Sequence, residues 1–457
     1  MELGDTMTDV ALITVDSLRY DHLGCYGHER DTSPKLDEIA DESHRFTNAF
    51  SHAGTTRASF PTILTSSYTN MYGGYERITE GRTLISEVLK QESYSTAGFH
   101  SNLFLCADFG YQRGFDRFYD SKTDPGFTAK LRQFVKTNLN QDGFLYEILQ
   151  TLYDATEKSA GVNVGSSYVK ADEITDRSVE WVTKAESDSS DRFLWTHYMD
   201  VHHPYVPPEE YQLEFRDTPI SDRRSIRLRR KMLEAPDELT EQEQQELIDL
   251  YDAEIRFTDH EIGRLIDTIK HSWGEDTIIL ITADHGEEFY EHGQYSHNTI
   301  HDEGIHVPLI LSTDGSGVYD EMVGLVDVSP TIADYAGCDI PHNFYGNSLK
   351  PVVEKGKWVR DHVIGDWGGS EGKPDRIFYR DKGWKYIKDR GNEQLYHLDE
   401  DPAEKNNIIS QKPAILSKIR EKIETHEKQV TETSMDINEV EMDDEVEERL
   451  EKLGYKF

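Results

Sequence analysis

The stretch TIILITADHGEEF, Thr277 to Phe289, is an almost unbroken apolar run that stops at Asp284-His285-Gly286. A short β-branched run of this kind reads as a strand buried on both faces. Two other stretches repeat the pattern: VALITVD (Val10 to Asp16) closes on an aspartate, and FLWTHYMDVHHPY (Phe193 to Tyr205) ends among aspartate and histidines. Helical patterns separate them, so they predict parallel strands of an α/β fold. In open α/β sheets the ligand site lies beyond the carboxyl ends of the strands. Three strands ending in Asp or His therefore aim polar groups at one rim.

The clearest helix starts at the capping box Thr240-x-x-Glu243 and carries Leu247, Tyr251, Ile255, Ile262, Ile266 and Ile269 on one stripe. After about residue 350 the texture changes. HVIGDW, DRIFYRD, WKYIKD and EQLYHL read as short strands, with turns at Asp381-Lys382-Gly383 and Arg390-Gly391-Asn392. The expected class is α/β, a large mostly parallel sheet flanked by helices plus a small C-terminal antiparallel sheet. The expected division is a catalytic domain over 1–350, an antiparallel subdomain over 351–423 and an acidic tail with a short terminal helix over 424–457.

The chain has 457 residues, 36% of them hydrophobic, with 49 Lys+Arg against 87 Asp+Glu, a formal net charge of −38. Such acidity argues against nucleic-acid partners, which need a positive field. It suits a solvated surface in a high-salt cytoplasm. No apolar run reaches the roughly 18 residues needed to span a membrane, and the first residues lack the basic and apolar regions of a signal peptide. Cys25, Cys106 and Cys338 are scattered without metal spacing and fit reduced thiols. The expected location is cytoplasmic.

At the rim, Asp16, Asp284 and His285 make an O/O/N set suited to one divalent cation, Ca, Mg, Mn or Zn. A single aspartate at a strand end also serves to cap a following helix, but an adjacent Asp-His-Gly is less easily read that way. HAGTTRASFPTILTSSY, His52 to Tyr68, places two threonines and an arginine before an apolar helical stretch. A hydroxyl at a helix N-terminus beside a metal can act as a nucleophile. By residue type alone an N-cap threonine is the simpler account.

These segments carry a resemblance that covers almost the whole chain. LITVDSLRYDHLGCYGH, FHSNLFLCADFGYQRGFDRFYD, HYMDVHHPYVPP, DHGEEFYEHGQYSHNTIHDEGIHVPLIL, VDVSPTIADYAG, GNSLKP and LYHLDEDPAEKNNI resemble, in order, the segments of the sulfatase family in the alkaline phosphatase superfamily. The resemblance implies an alkaline-phosphatase-like fold and puts Asp16, Thr56, Asp284 and His285 on metal-ligand positions. It implies that His202 is the general acid, that His297 holds the transferred group, and that Arg57 or Asn102 stabilises charge. His203 and His292 are expected to be structural, His301 and His306 packing residues. A second metal on Asp200, His202 and His297 is a weaker expectation.

The departures are informative. Thr56 stands at the position of the family's formylglycine precursor, Ala58 replaces its proline and Phe60 its arginine. Oxidised threonine gives a ketone, not the aldehyde of formylglycine, which argues against the formylglycine mechanism. Ser17 replaces the second aspartate of the first pair, Asp284-His285 replaces Asp-Asn, and HSNLF replaces a Lys/His segment. The expected activity is metal-dependent cleavage of sulfate or phosphate mono- or diesters through Thr56, on a carbohydrate or related anionic metabolite. The alternatives are a phospho-alcohol transferase using the same site and a silent sulfatase-like binding protein. RRSIRLRRK, Arg223 to Lys231, is a basic island that reads first as a solvated face, and second as a rim attracting an anionic glycan.

Overall fold

The structure is a computed structural model, and it describes residues 8–121, 168–184, 190–297, 299–369 and 374–433. Apolar strands stack into one central sheet of eight strands in the order β10-β2-β9-β6-β1-β5-β3-β4. These are β1 (Val10–Val15), β2 (His44–Phe50), β3 (Ser95–Phe99), β4 (Arg117–Tyr119), β5 (Arg192–Tyr198), β6 (Ile278–Ala283), β9 (Leu309–Ser312) and β10 (Gly317–Gly324). Only β9 runs against its neighbours β2 and β6; the other described pairings are parallel. Every residue of β1 and β6 is buried, which explains why both read as continuous apolar runs.

Register puts the rim together. Val15 of β1 pairs with Tyr198 of β5 on one side and Ala283 of β6 on the other. The residues that follow, Asp16, Met199 and Asp284, therefore leave the sheet at one level. A two-stranded ribbon, β7 (Glu288–Phe289) and β8 (Tyr295–Ser296), stands beyond that level.

Helix α1 (Thr56–Thr65) points its N-terminus at the rim, α2 (Ala171–Lys184) leads into β5, and α3 (Asp222–Glu234) packs on β8. Helix α4 (Glu241–Trp273) begins at Thr240 with both capping-box bonds formed. Its buried residues include the whole stripe expected from the sequence.

Strands β11 (His362–Trp367), β12 (Arg376–Asp381), β13 (Trp384–Asp389) and β14 (Asn392–His397) form an antiparallel meander, where four short strands were expected. Its two faces cover different partners. Val363, Trp367, Phe378 and Ile387 pack on Phe50, Ala53, Ala58 and Ile305 of the main body. Ile364, Ile377, Tyr379 and Leu395 pack on Ile419 and Ile423 of helix α5 (Pro413–Glu432). Helix α5 runs straight through residue 423, where a boundary was expected, because its apolar stripe is needed to cover the meander. The terminal helix expected in the acidic tail lies outside the described residues. Among the described residues, no helix is long and apolar enough to cross a membrane.

Candidate active site

Asp16 and Asp284 follow directly on β1 and β6, so sheet register sets their separation. Asp16, Asp284 and His285 are fully buried, with ligand atoms all within 4.8 Å of one another. His285 Nδ1 lies 2.8 Å from the Gly286 carbonyl, which only accepts. Nδ1 therefore carries a proton, and Nε2 faces inward, 3.7 Å from Asp16 Oδ1 and 3.6 Å from Asp284 Oδ2. Gly286 has no room for a side chain, since a Cβ there would sit 2.0 Å from the Glu303 carbonyl oxygen. The Asp-His-Gly order is thus a backbone requirement as well as a chemical one.

Thr56 is not the helix cap. Thr55 occupies that position with extended backbone and no capping side-chain bond, and Thr56 begins the helix. The Thr56 hydroxyl donates to Asp16 Oδ2 at 3.1 Å and lies 3.2 Å from His285 Nε2. Ser17, at φ 58°, donates from Oγ to Asp16 Oδ1 at 2.9 Å and from its backbone N–H to Asp284 Oδ1 at 3.2 Å. It braces both carboxylates.

Asp284 Oδ2 is buried without a hydrogen-bond partner. An orphaned carboxylate oxygen beside a second carboxylate, an imidazole and a hydroxyl is costly unless a cation is present. The donor set of Asp16, Thr56, Asp284 and His285 fits a divalent ion. Burial opposes ionisation of Asp16, but His197, His202 and His285 hold it well below the usual carboxylate range. Burial and the Asp16 charge push Asp284 up.

Asn102 joins the group by donating to Asp16 Oδ2 at 3.0 Å, while its own Oδ1 accepts from Phe104 N–H at 3.0 Å. It steadies Asp16. Arg57 takes another direction: its guanidinium pairs with Glu76 and lies over Phe104 and Phe109, 5.2 and 5.7 Å from the ring centres. The structure does not bring it to the carboxylates.

The histidines form a wall beside this set. His202 and His285 each approach His297 at 4.9 Å between ring centres. Burial lowers His202 to about 4 and His297 to about 3. His202 Nδ1 lies 2.5 Å from the His203 carbonyl and so carries the ring proton, leaving Nε2 as an acceptor. His203 has both ring nitrogens engaged, by Arg229 and Ser296.

Asp200 does not join His202 and His297. Its Oδ1 accepts from Ala171 N–H at 3.1 Å, at the start of α2, and burial pushes it up to about 7. The second metal on those three residues is not formed. His292 contacts Glu303 at 3.3 Å and stacks on His301, which contacts Glu404 at 2.6 Å. His306 stacks between Tyr20 and Phe50. Much of the basic island is neutralised on α3, where Arg224 meets Glu243 and Glu246, Lys231 meets Glu243, and Arg230 meets Glu234.

Two site residues escaped the sequence reading. His197, on β5, lies with Nε2 3.6 Å from Asp16 Oδ2 and Nδ1 3.0 Å from Thr14 Oγ1, which itself accepts from Trp195 Nε1 at 3.1 Å. Glu287 is buried, accepts from Tyr205 at 3.0 Å through Oε2, and holds Oε1 3.8 Å from His297 Nδ1. Burial pushes it up to about 7. His197 is hidden inside a strand pattern. Glu287 is adjacent to the Asp-His-Gly signal and was readable only as one more acid.

Comparison with known proteins decides the family. The sulfatase family model matches residues 8–338. The chain belongs to the sulfatase family. A model of the N-sulphoglucosamine sulphohydrolase C-terminal region also matches, over residues 290–430. This sulfatase-family chain is similar to an arylsulfatase of Clostridium perfringens, 24% identical over 438 residues, covering 88% of this chain and 90% of that protein. It is similar to human iduronate 2-sulfatase, 25% identical, with 73% and 70% covered. Its match to arylsulfatase K of Bos taurus, 26% identical, spans 54% of this chain and only 53% of that protein.

The structure of BT4656 with its substrate D-glucosamine-2-N,6-O-disulfate superposes with a TM-score of 0.71 at 19% identity, covering 95% of this chain and 100% of that one. A phosphonate monoester hydrolase of Agrobacterium radiobacter gives 0.69 at 19% identity, with 93% and 96% covered. These likenesses establish the sulfatase-like α/β fold. Family and relatives together make the protein a hydrolase of sulfuric or phosphoric esters.

Proposed function

We propose that the protein is a metal-dependent hydrolase of sulfate or phosphate esters on an anionic carbohydrate, with Thr56 as nucleophile. One observation carries the reading: the Thr56 hydroxyl sits 3.1 Å from Asp16 Oδ2 and 3.2 Å from His285 Nε2, inside a buried set with an orphaned Asp284 oxygen. Asp16, Thr56, Asp284 and His285 would hold the cation. A divalent ion there supplies positive charge that eases ionisation of the hydroxyl and offsets charge on the ester oxygens.

In the first half-reaction Thr56 Oγ1 bonds to phosphorus or sulfur and the bond to the leaving alkoxide breaks. The hydroxyl proton ends on that alkoxide by way of His202, whose resting Nε2 is an acceptor. In the second, water bonds to the same atom, the threonine ester breaks, and a proton from the water returns to Thr56 Oγ1. His297 donates to the transferred group throughout. Phosphorus suits this two-step path, because a sulfated threonine lacks the second hydroxyl that expels sulfate from formylglycine.

The test is turnover of 4-nitrophenyl sulfate, 4-nitrophenyl phosphate, a bis-aryl phosphodiester and a phenylphosphonate ester with added Mn, Mg, Ca or Zn. Thr56→Ala is expected to lower kcat by about 10⁴-fold or more, as removal of a nucleophile does. Metal-dependent turnover that survives in Thr56→Ala would overturn the nucleophile. Product formed only in the presence of an added alcohol would favour the transferase. No turnover and no bound metal would favour the binding protein.

A further inference from the structure

Arg229 stands in the basic run of α3, on the side that packs against β8. Its Nε–H donates to His203 Nδ1 at 3.2 Å. A guanidinium nitrogen has no lone pair to offer, so Nδ1 must be the acceptor. Burial above all, with the Arg229 guanidinium close by, keeps the His203 imidazole well below its ordinary pKa. Its ring proton is therefore on Nε2, which faces Ser296 Oγ at 2.8 Å and donates to it. Ser296 adopts φ 76°, an uncommon conformation for serine, and its Oγ contacts both imidazoles. Having accepted from His203, the hydroxyl directs its single proton to His297 Nδ1 at 3.2 Å.

We infer that Arg229, His203 and Ser296 form a directed hydrogen-bond chain that fixes His297 as its Nε2–H tautomer, which makes Arg229 a positioning residue for the transferred group. The chain settles a competition. Glu287 Oε1, a carboxylate acceptor, lies 3.8 Å from the same Nδ1 and favours a proton there. An Nδ1–H tautomer would turn a lone pair, not a donor, to the opposite side of the ring. Ser296 opposes this by presenting a hydrogen to Nδ1. The chain also gives one member of the basic island a purpose that neutral solvation of α3 does not. Its catalytic consequence rests on the proposed role of His297; the tautomer itself does not.

The experiment is long-range ¹H–¹⁵N NMR of histidine-labelled protein, with the His297 signals assigned by their loss in His297→Gln. Wild type is expected to show protonated Nε2 and bare Nδ1. Arg229→Met and Ser296→Ala should each move His297 towards Nδ1–H, and the double variant should move it no further, since both act through one chain. Arg229→Lys keeps a donor and should restore the wild-type pattern. In ester turnover, both single variants should lower kcat on the order of 10-fold with KM within about 3-fold, a fraction of the loss that follows complete removal of a charge-stabilising donor.

An Nδ1–H tautomer in wild type, or one unmoved in both variants, would overturn the inference. Should Arg229→Met fail to fold, Ser296→Ala decides alone. Should the wild type turn over no ester with any metal, the proposed function falls while the NMR result still decides the chain.

Discussion

Asp16 is held from three sides: Ser17 on Oδ1, and Thr56 and Asn102 on Oδ2. His197 closes the fourth at 3.6 Å. If Asp16 holds the proposed cation, groups that brace it in this way are expected to tune affinity by about 10- to 100-fold. His197→Phe keeps the ring volume and removes the polar edge, and it is expected to weaken metal retention within that range. Titration with a fluorescent chelator checks this, and unchanged retention would reduce His197 to packing. Asp16, Asp284 and His285 stood out in the sequence because they end apolar runs, whereas Thr56 was singled out only through the family resemblance. His197 was not, because a buried histidine inside a strand looks the same whether it faces a core or a carboxylate.

At the scale of elements, the meander is the middle layer of a sandwich, packed on the main body on one face and on α5 on the other. Left open, the face carrying Ile364, Ile377, Tyr379 and Leu395 would put apolar surface in water, and α5 covers it with Ile419 and Ile423. Ile423→Ala removes buried methylenes and leaves a cavity, at a cost of about 2–5 kcal/mol. Urea unfolding is expected to show that loss, and a loss below about 0.5 kcal/mol would mean the helix contributes little to the meander. The strands β11 to β14 were readable from alternation and turn residues. The length of α5 was not, since its acidic surroundings mask a stripe that makes sense only against the sheet it covers.

Across the whole molecule, His52 ties the main body to the meander. It precedes α1, is fully buried, and its Nδ1 lies 2.7 Å from the Ile364 carbonyl of β11. Burial lowers its pKa to about 3 from an ordinary 6.5. Below pH 6.5 the unfolded chain takes up a proton that the folded chain refuses until about pH 3. His52 therefore contributes stability fully above pH 6.5 and loses it progressively as pH falls towards 3. Each unit of that fall is worth up to about 1.4 kcal/mol. The variant His52→Asn lacks this titration, so its stability relative to wild type should rise by roughly 2–3 kcal/mol between pH 7 and 4.5. Denaturant unfolding at the two pH values measures the difference, and an equal gap at both would refute the link.

The sequence by itself determined which runs become buried strands, where each stops, and that acids and imidazoles stand at those stops, because period and composition act over a few residues. The pairing of β1 with both β5 and β6, which places Asp16 beside Asp284, was decided by tertiary structure alone. So were the turning of Asp200 away to cap α2, the diversion of Arg57 to Glu76, and the chain from Arg229 to His297. Each depends on groups far apart in sequence meeting at hydrogen-bond distance, and the direction of a side chain is set by the partners that packing brings to it.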